Sequence, residues 1–240
     1  APSTSAPSTP TRPAAIFPVY LNGQCEDPIN LQNFARTHDL KIVADASHAL
    51  GTKFPTGIVG DGKYADCTCF SFHPAKMITC GEGGAITTRD EALQARLQQL
   101  RSHGIQRSPV KFHNTELAFG ADGSPNPWYY EQDELAQNYR ITDLQCALGL
   151  SQLRKLGDFV KRRQELVARY DELVLNLSPV VTCLGRVNEL YAGWHLYVVL
   201  INFNVLTIDR AKLMQQLAAY DIGTQVHYIP LHHQPYYQKR

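Results

Sequence analysis

Short apolar runs alternate with longer amphipathic stretches along the first part of the chain. Residues 15–20 are an apolar run closed by Asn22-Gly23, and Lys41–Asp45, residues 67–72 and residues 84–88 are further runs of strand length. Between and after them lie two stretches with helical spacing. Residues 28–38 carry Ile29, Leu31 and Phe34 among polar positions, with Pro28 suited to a first helical residue. Residues 90–103 place Leu93, Leu97 and Leu100 on one face, with Asp90 as the N-cap. Strand–helix alternation of this kind predicts an α/β layer with a mainly parallel sheet.

The pattern changes in the second half. Residues 104–130 are rich in Gly, Pro, Asn and Tyr and predict a long loop, ordered or mobile. Residues 142–156 and 158–176 read as two helices broken near Gly157. Residues 194–203 read as a strand, 209–220 as a helix and 222–229 as a strand, which together suggest a small α+β domain. The expected division is a large domain over 14–165 and a small one over 166–240. Ahead of both, residues 1–13 contain ten Pro, Ser or Thr and repeat APST, so a disordered leader is expected there.

Composition narrows the function classes. With 23 Lys+Arg against 22 Asp+Glu the formal charge is +1, which gives no basic footprint for nucleic acid. The longest apolar run, residues 196–201, is far short of a membrane span, and no secretory signal pattern opens the chain. Six cysteines without a Cys-x-x-Cys pair read as reduced structural thiols, in keeping with a cytoplasmic protein. Cys67 and Cys69 fall on one face of a strand, which is poor spacing for zinc.

The residues that could carry chemistry cluster at strand ends. Asp45 closes an apolar strand, and the carboxyl ends of parallel strands are where α/β sheets bind ligands. Taken alone, a turn-forming Asp is the commoner explanation. Ser71-Phe-His-Pro-Ala-Lys76 follows the next strand, with Pro74 opposing a helix, and Gly81-Glu-Gly-Gly84 lies just beyond. A desolvated lysine has a lowered pKa and becomes a nucleophilic amine. A lone lysine beside a turn is ordinarily a surface residue. The combination is more telling, because pyridoxal phosphate requires a lysine amine, a carboxylate at its ring nitrogen and donors for its phosphate.

Residues 43–51 (VADASHALG), 70–76 (FSFHPAK) and 78–88 (ITCGEGGAITT) resemble the DegT/DnrJ/EryC1/StrS sugar aminotransferases. Residues 127–131 (PWYYE), 138–153 (NYRITDLQCALGLSQL) and 223–230 (GTQVHYIP) extend the likeness, and most resemble the PseC branch. That branch aminates a UDP-linked 4-keto-6-deoxy-N-acetylhexosamine on the way to pseudaminic acid. The resemblance implies the type I fold of pyridoxal-phosphate-dependent transferases and a homodimer with shared active sites. It implies that Lys76 joins the cofactor through a Schiff base and shuttles a proton, and that Asp45 keeps the ring nitrogen protonated. Ser71 is implied at the phosphate, His48 near the ring, and Asn138 at the phosphate of a neighbouring subunit. His227 and Tyr228 are implied toward the sugar, although packing accounts equally well for His227. Glutamate is the implied amino donor, and a lysine at position 76 favours amino transfer over dehydration, for which relatives carry histidine.

Two departures from the family pattern bear on this. Ala136 and Gln137 stand where the family has glycine and an aromatic before the asparagine. The leader stands where family members have a long N-terminal portion that helps hold the phosphate, and the chain stops soon after Gln234-Pro-Tyr-Tyr237. The chain is therefore expected to be truncated at both ends, with its remaining strands forming a contiguous central block. Two functional classes follow: an active sugar aminotransferase, or a catalytically inactive remnant serving as a fold or interaction module. A metal-dependent hydrolase ranks last, because no carboxylate accompanies His227, His232 and His233 at metal spacing.

Overall fold

The computed structural model describes residues 12–25, 27–187 and 189–239, so the expected leader lies outside the described residues up to Thr11. The chain divides into two compact units, one of residues up to 170 with 185–198, the other of 171–184 with 199–240.

The first unit is built on a four-stranded sheet. Its strands are β1 (Ala15–Ile16), β2 (Lys41–Asp45), β3 (Cys67–Ser71) and β4 (Gly84–Thr87), and they lie in that order. Pairings β1–β2 and β2–β3 are parallel, with Val43 opposite Cys67 and Asp45 opposite Cys69. β4 instead runs antiparallel to β3, so the sheet is mixed. The reason is local: a parallel return needs a long crossover, commonly a helix, whereas residues 72–83 form a closed loop. Phe72 N–H donates to the Gly83 carbonyl at 2.8 Å and Cys80 N–H to the Phe72 carbonyl at 3.1 Å. The four strands are adjacent, as the contiguous block requires.

Helix α1 (Pro28–Thr37) starts where Asp27 accepts hydrogen bonds from the N–H groups of Ile29 and Asn30, with Pro28 inside the first turn. Helix α2 (Glu91–Arg101) is capped by Asp90, which accepts from Leu93 N–H. Residues 104–130 are an ordered excursion. They contain a strand pair with residues 131–132, a 3-10 turn at Pro109–Lys111 and one helical turn at Thr115–Ala118.

The core gathers Tyr20, Cys25, Ala44, Ala46, Ala49, Val59 and Phe70 against Leu50, Phe54, Ala65, Phe72 and Leu190. Burial at 5% exposure, with a smaller contribution from Cys25, pushes the Tyr20 phenol up to about 12. A tyrosine held neutral in the folded state and free to ionise near about pH 10 when unfolded leaves stability flat below about 10. Between there and about 12 the unfolded chain binds fewer protons, so stability falls as pH rises. The expected result is a phenolate absorbance that differs between wild type and Tyr20→Phe with a midpoint at about 12, the variant losing less stability across that interval. A midpoint at the ordinary tyrosine value would contradict this burial.

Helices α3 (Asp143–Leu153) and α4 (Leu156–Leu175) break at Arg154 and Lys155, before Gly157. A capping box between Thr142 and Gln145 starts α3, and Lys155 N–H closes its end onto the Gln152 carbonyl. Gly157 sits inside α4, where a single glycine costs about 1 kcal/mol relative to alanine and is tolerated.

The second unit holds one antiparallel ladder, β5 (Val181–Cys183) with β6 (Val199–Ile201), and helix α5 (Arg210–Ala218) capped by Asp209. The strand expected over 194–203 is thus confined to 199–201. Its first residues are committed elsewhere: Trp194 takes a positive φ of 49° and His195 N–H donates to the Asn22 carbonyl, just after Gly193 N–H donates to Thr52 Oγ1. The strand expected over 222–229 does not form, since those residues pair with neither β5 nor β6 and are largely exposed. No helix among the described residues is long and apolar enough to cross a membrane.

Candidate active site

The alternation of β2 and β3 sorts their residues by face. Ile42, Ala44, Thr68 and Phe70 are buried, while Val43, Asp45, Cys69 and Ser71 are half-buried. Because Asp45 is opposite Cys69 in a parallel register, these two and Ser71 share the open face at the carboxyl end of the strands. That is the end at which α/β sheets bind ligands.

Asp45 is tied down on three sides. Its backbone N–H donates to the Pro18 carbonyl at 2.9 Å, its carbonyl accepts from Tyr20 N–H at 2.9 Å, and its Oδ1 accepts from Ser47 N–H at 3.0 Å. The carboxylate therefore has one oxygen oriented by backbone and one left for a ligand.

Lys76 projects from the closed loop between β3 and β4. Its backbone N–H donates to the His73 carbonyl at 2.9 Å, His73 Nδ1 accepts from Ala75 N–H at 3.1 Å, and Ser71 Oγ accepts from His73 N–H at 3.4 Å. The lysine amine is half-buried, and burial draws its pKa below the ordinary value, opposed by the charge of Asp45. Lysine and aspartate thus face one electrostatic environment, and a larger share of this amine is neutral than of a surface lysine at the same pH. Burial together with Asp45 also pushes the Cys69 thiol up, which places Cys69 beside the carboxylate. Cys69 was not singled out for the site from sequence, although its position two residues before Ser71 on one strand face carried the signal.

The glycine run has a packing reason of its own. A Cβ on Gly84 would lie 2.6 Å from the Phe70 carbonyl oxygen and one on Gly83 2.6 Å from Cys80 Sγ, while Gly81 takes a positive φ of 86°. These glycines close the β3–β4 loop that displays Lys76, rather than serving only to admit a ligand.

The remaining residues named from sequence have other described partners. His48 is buried at 7% exposure, its Nδ1 accepting from Asn22 N–H at 3.3 Å. Asn138 is exposed and bridges Ser102 in antiparallel fashion beyond α2. His227 and Tyr228 belong to the second unit, where their rings lie 4.3 Å apart and Tyr228 is exposed. One cluster went unforeseen: ligand atoms of His113, Glu131 and Asp133 lie within 4.8 Å of one another. Glu131 already accepts from the N–H groups of Asn114 and His113 and from the Tyr129 hydroxyl, which hold it below the usual carboxylate range. Those bonds account for the place of Glu131 in the cluster.

A half-buried amine of lowered pKa, a carboxylate at the adjacent strand end and a serine hydroxyl on the same face are the donor set that pyridoxal phosphate takes, so the residues present fit that cofactor.

The model of the DegT/DnrJ/EryC1/StrS aminotransferase family matches residues 5–240. SpsC of Bacillus subtilis, a spore coat polysaccharide biosynthesis protein, is 35% identical over 230 residues, 95% of this chain and 56% of that protein. The UDP-4-amino-4,6-dideoxy-N-acetyl-beta-L-altrosamine transaminase of Campylobacter jejuni is 32% identical over 225 residues, 94% of this chain and 54% of that protein. Among solved structures, Helicobacter pylori PseC, an aminotransferase of pseudaminic acid biosynthesis, superposes with a TM-score of 0.78 at 30% identity. That match covers 94% of this chain and 55% of PseC. A Streptococcus pneumoniae protein described as a sugar aminotransferase, solved in a PLP form, gives 0.74 at 26% identity, with 94% and 57% covered. The chain spans little more than half the length of these relatives.

Proposed function

We infer the activity from one premise, that the chain belongs to the DegT/DnrJ/EryC1/StrS aminotransferase family. The proposed reaction is transfer of an amino group from glutamate to the 4-keto group of a UDP-linked 4-keto-6-deoxy-N-acetylhexosamine, with pyridoxal phosphate as cofactor. The observation that carries it is the half-buried Lys76 amine sharing its electrostatic surroundings with Asp45 at the end of the neighbouring strand. The Campylobacter and Helicobacter relatives support the choice of sugar.

When bound, pyridoxal phosphate supplies a carbonyl carbon that takes up amines and a ring that accepts electron density. The protein's part falls to named groups. Lys76 Nζ, lowered in pKa by burial, holds the cofactor and moves a proton to and from the reacting carbon. Asp45, its Oδ1 fixed by Ser47 N–H, keeps a proton at the ring nitrogen by charge. Ser71 Oγ, which accepts from His73 N–H, has its own hydroxyl proton to donate to the phosphate. His48 orients toward the ring, and Asn138 reaches the phosphate of a partner subunit, which makes a homodimer part of the site. In this reading the enzyme works in the cytoplasm.

The test is the first half of the reaction. The chain loaded with pyridoxal phosphate and given L-glutamate should release 2-oxoglutarate in stoichiometric amount, measured by coupled dehydrogenase assay. Loading without any 2-oxoglutarate would favour the inactive remnant instead.

A further inference from the structure

Glu82 lies at the base of the closed loop that displays Lys76, and helix α3 takes hold of that loop at the Glu82 carbonyl. Gln145, in the first turn of α3, donates from its side-chain Nε2 to this oxygen at 2.8 Å. Cys80 Sγ donates to the same oxygen at 3.2 Å. Close packing surrounds the two bonds. A Cβ on Gly83 would come within 3.1 Å of Ile141 Cδ1, and one on Gly149 would meet Cys80 Cβ at 3.5 Å.

The same amide also caps its own helix. Gln145 Oε1 accepts from Thr142 N–H at 3.0 Å and from the Thr142 hydroxyl at 2.9 Å, while Thr142 Oγ1 accepts from Gln145 N–H at 3.3 Å. A backbone N–H only donates and a carbonyl only accepts, so the two partners orient the amide, oxygen to Thr142 and nitrogen to Glu82. A capping box takes glutamate as readily as glutamine at this position, and the helix dipole favours the acid there. The cap therefore does not require an amide. The bond to Glu82 does, because a carboxylate has no proton to give.

We propose that Gln145 is a positioning residue for Lys76, clasping the base of the 72–83 loop to α3 so that the loop presents its amine in one place. The clasp rests on the fold alone; its use toward a cofactor rests on the proposed aminotransferase function. From Glu82 the constraint reaches the loop through adjacent backbone. The Gly83 carbonyl accepts from Phe72 N–H at 2.8 Å, and Cys80 N–H donates to the Phe72 carbonyl at 3.1 Å. Those bonds close the chain around residues 73–79, with Lys76 at the middle.

The experiment is hydrogen exchange of backbone amides, resolved by NMR on the ¹⁵N-labelled 240-residue chain, first with no cofactor added. Gln145→Glu keeps the cap and removes the donor. The Phe72 and Cys80 amides should then exchange about three- to tenfold faster, the range of one hydrogen bond. Cys146 N–H, which donates to the Thr142 carbonyl at 2.9 Å in the first turn of α3, should keep its wild-type rate. Thr142→Ala is the converse: it should speed exchange at Cys146 and leave Phe72 and Cys80 unchanged. Unchanged Phe72 and Cys80 rates in Gln145→Glu overturn the clasp. Faster ones in Thr142→Ala overturn it too, even where Gln145→Glu does not fold. With saturating pyridoxal phosphate, Gln145→Glu should keep the visible absorbance of cofactor held at Lys76 but lose at least half of its induced circular dichroism. An achiral chromophore is strongly dichroic only when its surroundings hold it in one orientation. Equal circular dichroism in variant and wild type overturns the positioning role. No visible band in wild type, with exchange rates as expected, upholds the clasp and removes the cofactor reading.

Discussion

Lys76→Ala should lose transamination by a factor of about 10⁴ or more, while circular dichroism and urea unfolding stay close to wild type. The expected size follows from two functions lost together. A positioned general base contributes about 10²–10⁴-fold by itself, and the covalent attachment of the cofactor disappears with the same amine. The fold should tolerate the change, because Lys76 is only half-buried and its loop is closed by backbone bonds. Loop geometry is set by Phe72, Cys80 and Gly83 backbone bonds and by the His73 turn. Activity within tenfold of wild type would show that another amine serves, and the site would have to be sought elsewhere.

Asp45→Asn should keep the chain folded and able to bind pyridoxal phosphate, but slow turnover about 10–10³-fold. An opposite charge near a protonated nitrogen raises its pKa by about 1–3 units, and an amide gives up that gain while keeping similar shape. Asn Oδ1 can still accept the Ser47 N–H, so the turn after β2 survives. Stopped-flow measurement of the step that removes the substrate proton should carry the whole loss, with little change in cofactor affinity. Equal loss in affinity and rate would make Asp45 a structural residue rather than the partner of the ring nitrogen.

The first unit was legible to the extent that its strands and helices announce themselves locally. Lys41–Asp45 matches its expected bounds, and α1 and α2 begin at Asp27 and Asp90 caps whose side-chain chemistry is readable residue by residue. Strand direction was less legible. β4 is antiparallel because the segment before it closes on itself through backbone bonds that no apolar periodicity records. Residues 194–198 show the same limit. Their β-branched and aromatic content suits a strand, but Asn22, Gln164 and Arg163, all distant in sequence, take their backbone and side-chain groups first. In the second unit the apolar alternation of 222–229 found no ladder to join.

At the candidate site, Asp45, Ser71 and Lys76 could be picked out because strand ends and lysine-bearing loops are visible in sequence. Cys69 follows from alternation once Ser71 is chosen. The packing of His195 on His48, outside that set, could not be foreseen, since it depends on a long-range approach across Gly23 that only the folded backbone creates.

The central statement is that one amine among those of the chain receives the cofactor. Incubating the 240-residue chain with pyridoxal phosphate, reducing with borohydride, digesting and mapping the added pyridoxyl group by mass spectrometry reads this at residue resolution. The label should fall on Lys76 in near-stoichiometric yield and vanish in Lys76→Ala without moving to another lysine. Label spread evenly over surface lysines, or absent from the Lys76 peptide, would contradict it.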